Sequence, residues 1–284
     1  MSFNQATKRA LAPALVQVRG LSKGFVQRAP FSRKKFSIQA LEMVDLEIQP
    51  RCLTAIVGES GSGKSTLAAC IASFLKPDSG EIWFEGSEIS NCSAQKLASL
   101  RTKIQLIFQD SAGALNPRFT AAQIIAEPLE IQNLAAGSKL HSMACDLMEQ
   151  VGLLPDWADR TPSQLSGGQR QRLAIARSLA LQPSLLILDE SLSGLDLVTQ
   201  TQILDLLLQL QRSRALTYLL ISHDVSLVGQ VADFVAVMHK GKIVEQGAKN
   251  QVLAAPKHEY TCALLSSART VESKFHDLHT ERRP

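Results

Sequence analysis

Three short, almost wholly apolar segments mark the predicted core. Residues 53–57, 185–188 and 218–221 each end in a glycine or in polar residues. Such runs are typical of strands that are buried on both faces of a parallel sheet. Between the second and third runs, Asp196 to Arg212 carries leucines and an isoleucine at helical spacing. Strand, helix and strand thus follow in the order of a βαβ unit, which predicts an α/β core.

The N-terminal part of the chain predicts a second, β-rich layer. Residues 14–18 alternate in polarity, and residues 81–84 follow a Ser-Gly turn, so each is predicted to be a strand. The polar and basic stretch 27–35 between them is predicted to be an exposed loop. Near the other end of the chain, residues 234–238 and 242–245 flank His-Lys-Gly and predict a hairpin.

The middle of the chain has a different character. Residues 116–160 lack strand patterning and contain Pro117, Pro128 and Pro155, so a separate helical lobe is expected there. Helical spacing also marks residues 66–75, directly after the first apolar run.

Composition narrows the functional classes. The chain has 284 residues, of which 45% are hydrophobic and 20% are charged, and this excludes disordered and fibrous proteins. A formal net charge of +4 is too small to indicate nucleic-acid binding. No run approaches the roughly 18–20 apolar residues of a membrane span. The first residues lack a secretory signal, which favours a cytosolic start. The five cysteines match no metal-ligand spacing and are expected to be buried free thiols.

Residues 58–65 fit the phosphate-binding pattern G-x-x-x-x-G-K-[ST] in full. The segment lies between a predicted strand and a predicted helix, which is the context that this motif requires. Its glycines let successive N–H groups face the phosphates, and the helix N-terminus adds its positive dipole end. Lys64 is then expected to bridge the β- and γ-phosphates, and Ser65 to offer its hydroxyl to Mg²⁺.

Two carboxylates follow the apolar run 185–188. Asp189 is expected to hold Mg²⁺ and Glu190 to polarise the attacking water. A solvated strand end would show the same pair of residues, and it is the phosphate loop that favours the catalytic interpretation.

A second glycine motif, Leu-Ser-Gly-Gly-Gln, occupies residues 165–169. Adjacent glycines at a helix start expose backbone N–H groups, so the segment predicts a second anion-binding device. A plain kinase or GTPase needs only one such device. The structural alternative is a capped helix start with Ser166 as the N-cap, which by itself accounts for the serine but not for the other four residues.

With these motifs in this order, the sequence resembles the ATP-binding subunits of ABC transporters. The resemblance implies a RecA-like parallel-sheet core, an N-terminal antiparallel β subdomain and a helical subdomain. It also implies a head-to-tail dimer. In that dimer the Leu-Ser-Gly-Gly-Gln segment of one subunit, residues 165–169 here and called the signature, closes over the ATP of the other. Gln109 is similar to the Q-loop glutamine, Ser193–Asp196 to the D-loop, and His223 to the switch histidine. By the same resemblance the adenine stacks on Phe25, with Phe36 as the alternative.

Two further segments indicate the branch of the family. Residues 109–118 and 258–265 resemble the Q-loop extension and the C-terminal segment of dipeptide, oligopeptide and nickel importers. Residues 109–111 and 196–198 resemble the nickel type rather than the peptide type. The cysteine-rich C-terminal extension of some peptide importers is absent from the sequence. The implied function is the ATP-hydrolysing, energy-coupling subunit of a binding-protein-dependent importer of peptides or nickel.

The resemblance fixes the expected boundaries, ligands and partners. The ATP-binding domain covers 14–265, with the helical lobe at about 110–178 and a tail at 266–284. ATP and Mg²⁺ are the expected ligands. The expected partners are a second ATPase, which in this branch is usually a different chain, two permease subunits and an extracytoplasmic solute-binding protein, without nucleic acid. The chain is expected at the cytoplasmic face of the inner membrane, attached only through the permease.

The site residues implied in this way fall into five groups. The catalytic residues are Glu190, His223 and Gln109, and those expected at Mg²⁺ are Ser65, Gln109 and Asp189. The residues expected to bind ATP are Phe25, Gly58, Glu59, Ser60, Gly61, Ser62, Gly63, Lys64, Ser65 and Thr66. The signature comprises Leu165, Ser166, Gly167, Gly168 and Gln169, and the D-loop residue is Asp196.

Four rival functions stay open at this point. They are a DNA-repair or chromosome-structure ATPase, a translation factor of the ABC type, a nucleotide kinase, and an importer of another small solute such as a metal chelate. The first normally carries a long coiled coil between its ATP motifs, and no sustained heptads lie between Ser65 and Ser166. The second carries two ATPase sets in one chain, whereas this sequence has one.

Overall fold

The computed structural model describes residues 13–28, 35–108 and 113–267. The strands, in chain order, are β1 (Val16–Arg28), β2 (Lys35–Ile48), β3 (Leu53–Val57), β4 (Ser79–Phe84), β5 (Ser87–Glu88), β6 (Ile104–Ile107), β7 (Leu185–Asp189), β8 (Thr217–Ser222), β9 (Phe234–His239) and β10 (Lys242–Ala248). The helices are α1 (Lys64–Ile71), α2 (Ala94–Lys103), α3 (Ala121–Ile131), α4 (Ser138–Gln150), α5 (Gly167–Leu179), α6 (Leu197–Arg214), α7 (Val225–Val231), α8 (Lys249–Ala254) and α9 (259–267).

The strands form two sheets. The larger has the order β10-β9-β3-β8-β7-β6, and all of its pairs are parallel except β9 with β10. The smaller sheet is antiparallel and has the order β2-β1-β4-β5. Together with the helices, these sheets confirm the predicted fold class. Because parallel strands end at the same edge, the segments that follow β3, β7 and β8 lie side by side.

The larger sheet separates two hydrophobic cores. Successive residues of β7 face opposite sides: Leu185 and Ile187 pack in the core shared with the smaller sheet and α1, whereas Leu186 and Leu188 pack in the core shared with α3, α4, α5 and α6. Every residue of β3, β7 and β8 is buried. This burial on both faces is the reason that the three segments lack polar alternation.

The helical part of the chain follows β6. Helices α3, α4 and α5 contact one another, and an ion pair of 2.7 Å joins Arg177 on α5 to Glu127 on α3. Helix α3 begins with a capping box between Thr120 and Gln123. Throughout the described parts of the chain, every helix falls short of the length and apolar character that crossing a membrane requires.

Several element boundaries differ from those predicted. Strand β1 continues to Arg28, well beyond the predicted segment 14–18, and β2 was not predicted at all. Residues 27, 28 and 35 of the predicted loop 27–35 therefore belong to strands, and residues 29–34 lie outside the described residues. Helix α1 spans Lys64–Ile71 rather than 66–75. It ends before Ser73, whose φ of 58° is left-handed.

The cysteine prediction was partly wrong. All five cysteines are free, but only Cys70 among them is buried, while Cys262 is exposed and the other three are half-buried.

Candidate functional site

The phosphate loop passes very close to neighbouring backbone. A Cβ atom at Gly58 would lie 2.1 Å from the Met238 carbonyl oxygen, and one at Gly63 would lie 2.4 Å from the Ala40 carbonyl oxygen. Both glycines also have φ values, 151° and 108°, that L side chains rarely adopt. The loop therefore forms a cradle that only glycine permits at these two positions, followed directly by α1.

The ammonium group of Lys64 is buried within this loop. Its Nζ donates hydrogen bonds to the carbonyl oxygens of Gly58 at 2.8 Å and of Glu59 at 2.7 Å. Burial lowers the pKa of Lys64, and the carboxylates of Glu190 and Asp189 oppose that shift. The loop thus places a positive charge where a phosphate would be cradled, which is an anion-binding arrangement.

A hydrogen bond joins the loop to the end of β7. The Ser65 hydroxyl donates to Asp189 Oδ1 at 3.0 Å, across 124 residues of sequence. Burial raises the pKa of the Asp189 carboxyl, opposed by the hydrogen bond from Ser65 and reinforced by the charge of Glu190. A hydroxyl and a carboxylate are oxygen ligands of the type that Mg²⁺ prefers. The donor set therefore fits a magnesium ion beside the phosphate cradle.

Glu190 and His223 share a cleft of about 120 Å³ at the ends of β7 and β8. His223 Nδ1 lies 3.7 Å from Glu190 Oε2, and the side chains are 60% and 18% exposed, respectively. Glu190 has a left-handed φ of 46°. Its backbone is held on both sides, because its N–H donates to Ile221 O at 3.0 Å and its carbonyl accepts the Ser193 hydroxyl at 2.6 Å. The arrangement presents a carboxylate and an imidazole to the same small space.

The signature motif has structural roles within its own chain. Ser166 is the N-cap of α5, and it forms a capping box with Gln169. A Cβ atom at Gly168 would lie 2.6 Å from Cγ2 of Thr199, at the start of α6. Capping thus accounts for the glutamine as well as the serine, and helix packing accounts for the second glycine. The structural explanation is broader than the sequence suggested.

These roles leave an anion-binding capacity at the start of α5. The first N–H groups of a helix have no acceptor within it. The capping box uses the N–H of Gln169, whereas those of Gly167 and Gly168 point along the axis at the positive end of the helix dipole.

Asp196 is the N-cap of α6. Its carboxylate accepts the Thr199 N–H at 2.9 Å and the Thr199 hydroxyl at 2.7 Å. These hydrogen bonds lower the pKa of Asp196. Because Thr199 also contacts Gly168, the signature and the D-loop are packed together on one surface. Beside Asp196 on that surface, Leu197 is 78% exposed and Val198 68% exposed.

Not every predicted site residue can be placed. Phe25 lies on β1, is 37% exposed and has Lys23 Nζ 5.8 Å from its ring centroid. The side chain of Phe36 and the whole of Gln109 lie outside the described residues. The choice between the two aromatic residues and the role of the glutamine therefore stay predictions.

The structure adds two contacts to the loop that sequence reasoning missed. The Gly241 N–H donates to the Ser62 carbonyl at 2.9 Å, and the Glu59 N–H donates to the Tyr260 hydroxyl oxygen at 3.2 Å. Tyr260 belongs to the C-terminal segment 258–265, whose residues resemble one branch of the family. That resemblance did not predict where the segment lies in the fold.

Comparison with known sequences gives a consistent picture. The family model described as "ABC transporter" matches residues 41–193. A probable peptide ABC transporter ATP-binding protein, y4tS of Sinorhizobium fredii, is 41% identical over 91% of this chain and 73% of its own length. The oligopeptide transport ATP-binding protein AppF of Bacillus subtilis is 42% identical over 89% and 78%, respectively. The glutathione import ATP-binding protein GsiA of Escherichia coli O157:H7 is 42% identical over 91% of this chain, which spans only 42% of that longer protein.

Solved structures of similar fold point the same way. The cbiO1 protein of Clostridium perfringens, described as part of an ABC transporter complex, has a TM-score of 0.73 and 29% identity over 85% of this chain and 91% of its own. A dimeric post-hydrolysis state of the ATP-binding cassette MJ0796, bound to ADP and Pi, has a TM-score of 0.72 and 28% identity over 82% and 98% of the two chains.

Proposed function

Because the chain belongs to the ABC transporter family, we propose that it is the ATP-hydrolysing, energy-coupling subunit of a peptide importer. The observation that carries the hydrolytic part is the 3.0 Å hydrogen bond between Ser65 and Asp189. It brings the phosphate cradle against the end of β7, next to Glu190 and to His223, which follows β8. Positioning and electrostatic stabilisation, rather than covalent chemistry, are what phosphoryl transfer requires of a protein.

We propose one role for each of these side chains. Lys64 and the loop N–H groups bind the phosphates, Glu190 polarises the attacking water, and His223 donates a hydrogen bond to the γ-phosphate. Ser65 Oγ and Asp189 Oδ1 would hold Mg²⁺, with Gln109 as a further ligand. When bound, that ion neutralises charge that would otherwise repel the nucleophile.

The proposed working unit contains two ATPase chains. The N–H groups of Gly167 and Gly168 face outward at the start of α5, where the phosphate loop of a partner chain could receive them. The exposed side chains of Leu197 and Val198 give the neighbouring surface an apolar part that such a partner would cover. Whether the partner is a second copy or a different ATPase is decided by isolating the complex.

The proposed cargo is a peptide. The relatives named above are described as peptide, oligopeptide and glutathione transport proteins, and glutathione is itself a tripeptide. Nickel, the other cargo suggested by the sequence, has no counterpart among those names. We further propose two permease subunits and an extracytoplasmic solute-binding protein as partners. The chain would then lie at the cytoplasmic face of the inner membrane, held there by the permease subunits.

Isolation of the complex tests this proposal. The Glu190→Gln chain is purified with ATP from its native membranes, because a variant that binds ATP without hydrolysing it should hold the assembly closed. The control is the wild-type chain isolated with ADP. We expect two permease subunits and an ATPase chain to co-purify with the variant. Recovery of ribosomes, DNA-repair proteins or no partner at all would overturn the importer assignment.

A further inference from the structure

Helix α9 contacts the phosphate loop through the side chain of Tyr260. The Tyr260 hydroxyl oxygen accepts the backbone N–H of Glu59 at 3.2 Å, across 201 residues of sequence. The carbonyl of the same loop residue accepts Lys64 Nζ at 2.7 Å and the Ser62 N–H at 3.2 Å. The backbone of Glu59 is therefore bonded on one side to the loop and on the other to the C-terminal helix.

The ring of Tyr260 is held in place independently of its hydroxyl group. It stacks on the His239 ring, with centroids 3.8 Å apart and an interplanar angle of 31°. His239 ends β9 and is followed by the turn in which the Gly241 N–H donates to the Ser62 carbonyl at 2.9 Å. The aromatic pair and this turn thus approach the loop from the same part of the chain.

The segment that carries Tyr260 is itself fixed to the larger sheet. The Glu245 carboxylate on β10 accepts the backbone N–H groups of Lys257 at 2.9 Å and of His258 at 3.0 Å. His258 Nδ1 in turn accepts the Tyr260 N–H at 3.1 Å. These hydrogen bonds fix the position of Tyr260. The tyrosine lies outside the residues 41–193 that match the family model.

We propose that Tyr260 is a positioning residue of the nucleotide site. Its hydroxyl oxygen fixes the peptide group that precedes Glu59, and the carbonyl of Glu59 orients Lys64. Without that acceptor, the first turn of the loop would sample more conformations, and ATP would have to order it on binding. The inference rests on the proposed function, because it concerns the binding of ATP by the same loop.

The test compares the two tyrosines of the chain. Tyr260→Phe removes the acceptor of the Glu59 N–H and keeps the ring against His239. Tyr218→Phe is the matched control, because the Tyr218 hydroxyl donates to the Leu207 carbonyl at 3.0 Å in the buried core. The Kd of Mg-ATP is measured by calorimetry on the full chain, and the Tm is measured for each variant. KM and kcat for ATP hydrolysis are measured alongside.

We expect opposite patterns from the two variants. Tyr260→Phe should raise the Kd of ATP about threefold to tenfold, the range for one lost hydrogen bond, and should raise KM more than it lowers kcat. Its Tm should stay close to that of the wild type. Tyr218→Phe should lower the Tm and leave the Kd unchanged.

Two results would overturn the role of Tyr260 alone, provided that the wild-type chain binds ATP. One is an unchanged Kd in Tyr260→Phe. The other is a loss of affinity that tracks a loss of Tm in both variants, since that would indicate a merely structural effect. Failure of the wild-type chain to bind ATP would instead overturn the proposed function, and this inference with it.

Discussion

His223 Nδ1 lies 3.7 Å from Glu190 Oε2, although the two residues follow different strands. Strands β7 and β8 pair in parallel, and the Glu190 N–H donates to the Ile221 carbonyl at 3.0 Å. The backbone bond fixes the carboxylate relative to the loop that carries the imidazole. In the proposed mechanism, this arrangement would put a water molecule polarised by Glu190 next to the γ-phosphate to which His223 is proposed to donate.

Replacement of Glu190 by glutamine should separate binding from hydrolysis. The amide has nearly the same shape but cannot accept a proton from water, so we expect the ATPase rate to fall by about 100-fold or more. Because the phosphate loop is unaltered, the Kd of ATP should stay near that of the wild type. Phosphate release and calorimetry provide the two measurements. A variant that hydrolyses ATP at the wild-type rate would exclude Glu190 from catalysis.

Removal of the Lys64 charge should weaken the binding of ATP. Lys64→Met keeps most of the side-chain volume but removes the ammonium group that two loop carbonyls hold. We expect at least about a tenfold loss of ATP affinity, because a charge-assisted contact to phosphate is lost. The control is Lys76→Met, at an exposed lysine. Equal ATP affinities in the two variants would count against a phosphate contact by Lys64.

The ionised carboxylate of Asp189 should lower the stability of the fold. Burial raises the pKa of its carboxyl, so ionisation is less favourable in the folded chain than in the unfolded one. Asp189→Asn removes the charge and keeps an oxygen that can accept the Ser65 hydroxyl. We expect a higher Tm at pH 7 than that of the wild type, together with loss of Mg²⁺-dependent hydrolysis. A Tm below that of the wild type would contradict this expectation.

The difference between Asp189→Asn and the wild type should depend on pH in a defined direction. With a raised folded pKa, the native state takes up its proton first as the pH falls, so the destabilisation from ionised Asp189 fades. The Tm difference should therefore be largest at neutral pH. It should shrink as the pH falls through this raised pKa towards about 4, the ordinary pKa of Asp in an unfolded chain. Thermal unfolding at a series of pH values measures it, and a difference that widens towards acid would refute the assignment.

The two signature glycines should respond differently to alanine. A Cβ atom at Gly168 would lie 2.6 Å from Thr199 Cγ2, whereas one at Gly167 would lie 3.7 Å from Leu195 Cδ2. Thr199 cannot turn away easily, because its hydroxyl donates to Asp196 at 2.7 Å. We expect Gly168→Ala to destabilise the fold by about 1–3 kcal/mol. Gly167→Ala should be neutral or slightly stabilising, since alanine favours helix.

A second substitution checks the cause of that difference. Thr199→Ser removes Cγ2 but keeps the hydroxyl that Asp196 accepts, so it should restore most of the stability of Gly168→Ala. Chemical denaturation of the single and double variants provides the comparison. If the stability changes of Gly168→Ala and Thr199→Ser were simply additive in the double variant, the contact between α5 and α6 would not be the reason for glycine at this position.

The sequence predicted those parts of the fold in which the determinants are local. The phosphate loop contains its own strand signal, glycines and helix start, and the apolar runs of β7 and β8 reflect burial on both faces. Strand β2 was missed because Met43, with a φ of 49°, interrupts the alternation. The buried residues Leu41 and Val44 are consequently three positions apart instead of two.

The candidate site was predictable only in part, for a similar reason. The motifs predicted the chemistry of Lys64, Asp189 and Glu190 from residue type, and these roles stay predictions. The motifs could not show that Gly168 packs on Thr199 or that Tyr260 accepts the Glu59 N–H, because both contacts join distant segments through the fold. Capping by Gln169 was local but was missed, since only the serine was considered as a cap.

Peptide uptake by whole cells shows whether this chain powers a peptide importer. Cells in which the wild-type gene is replaced by the Glu190→Gln form are compared with cells that carry the wild-type gene at the same locus, using a labelled tripeptide and labelled nickel ions. We expect tripeptide uptake to fall to background in the variant cells, while nickel uptake stays unchanged. Tripeptide uptake at the wild-type rate would contradict the peptide assignment, and a selective loss of nickel uptake would assign the subunit to a different cargo.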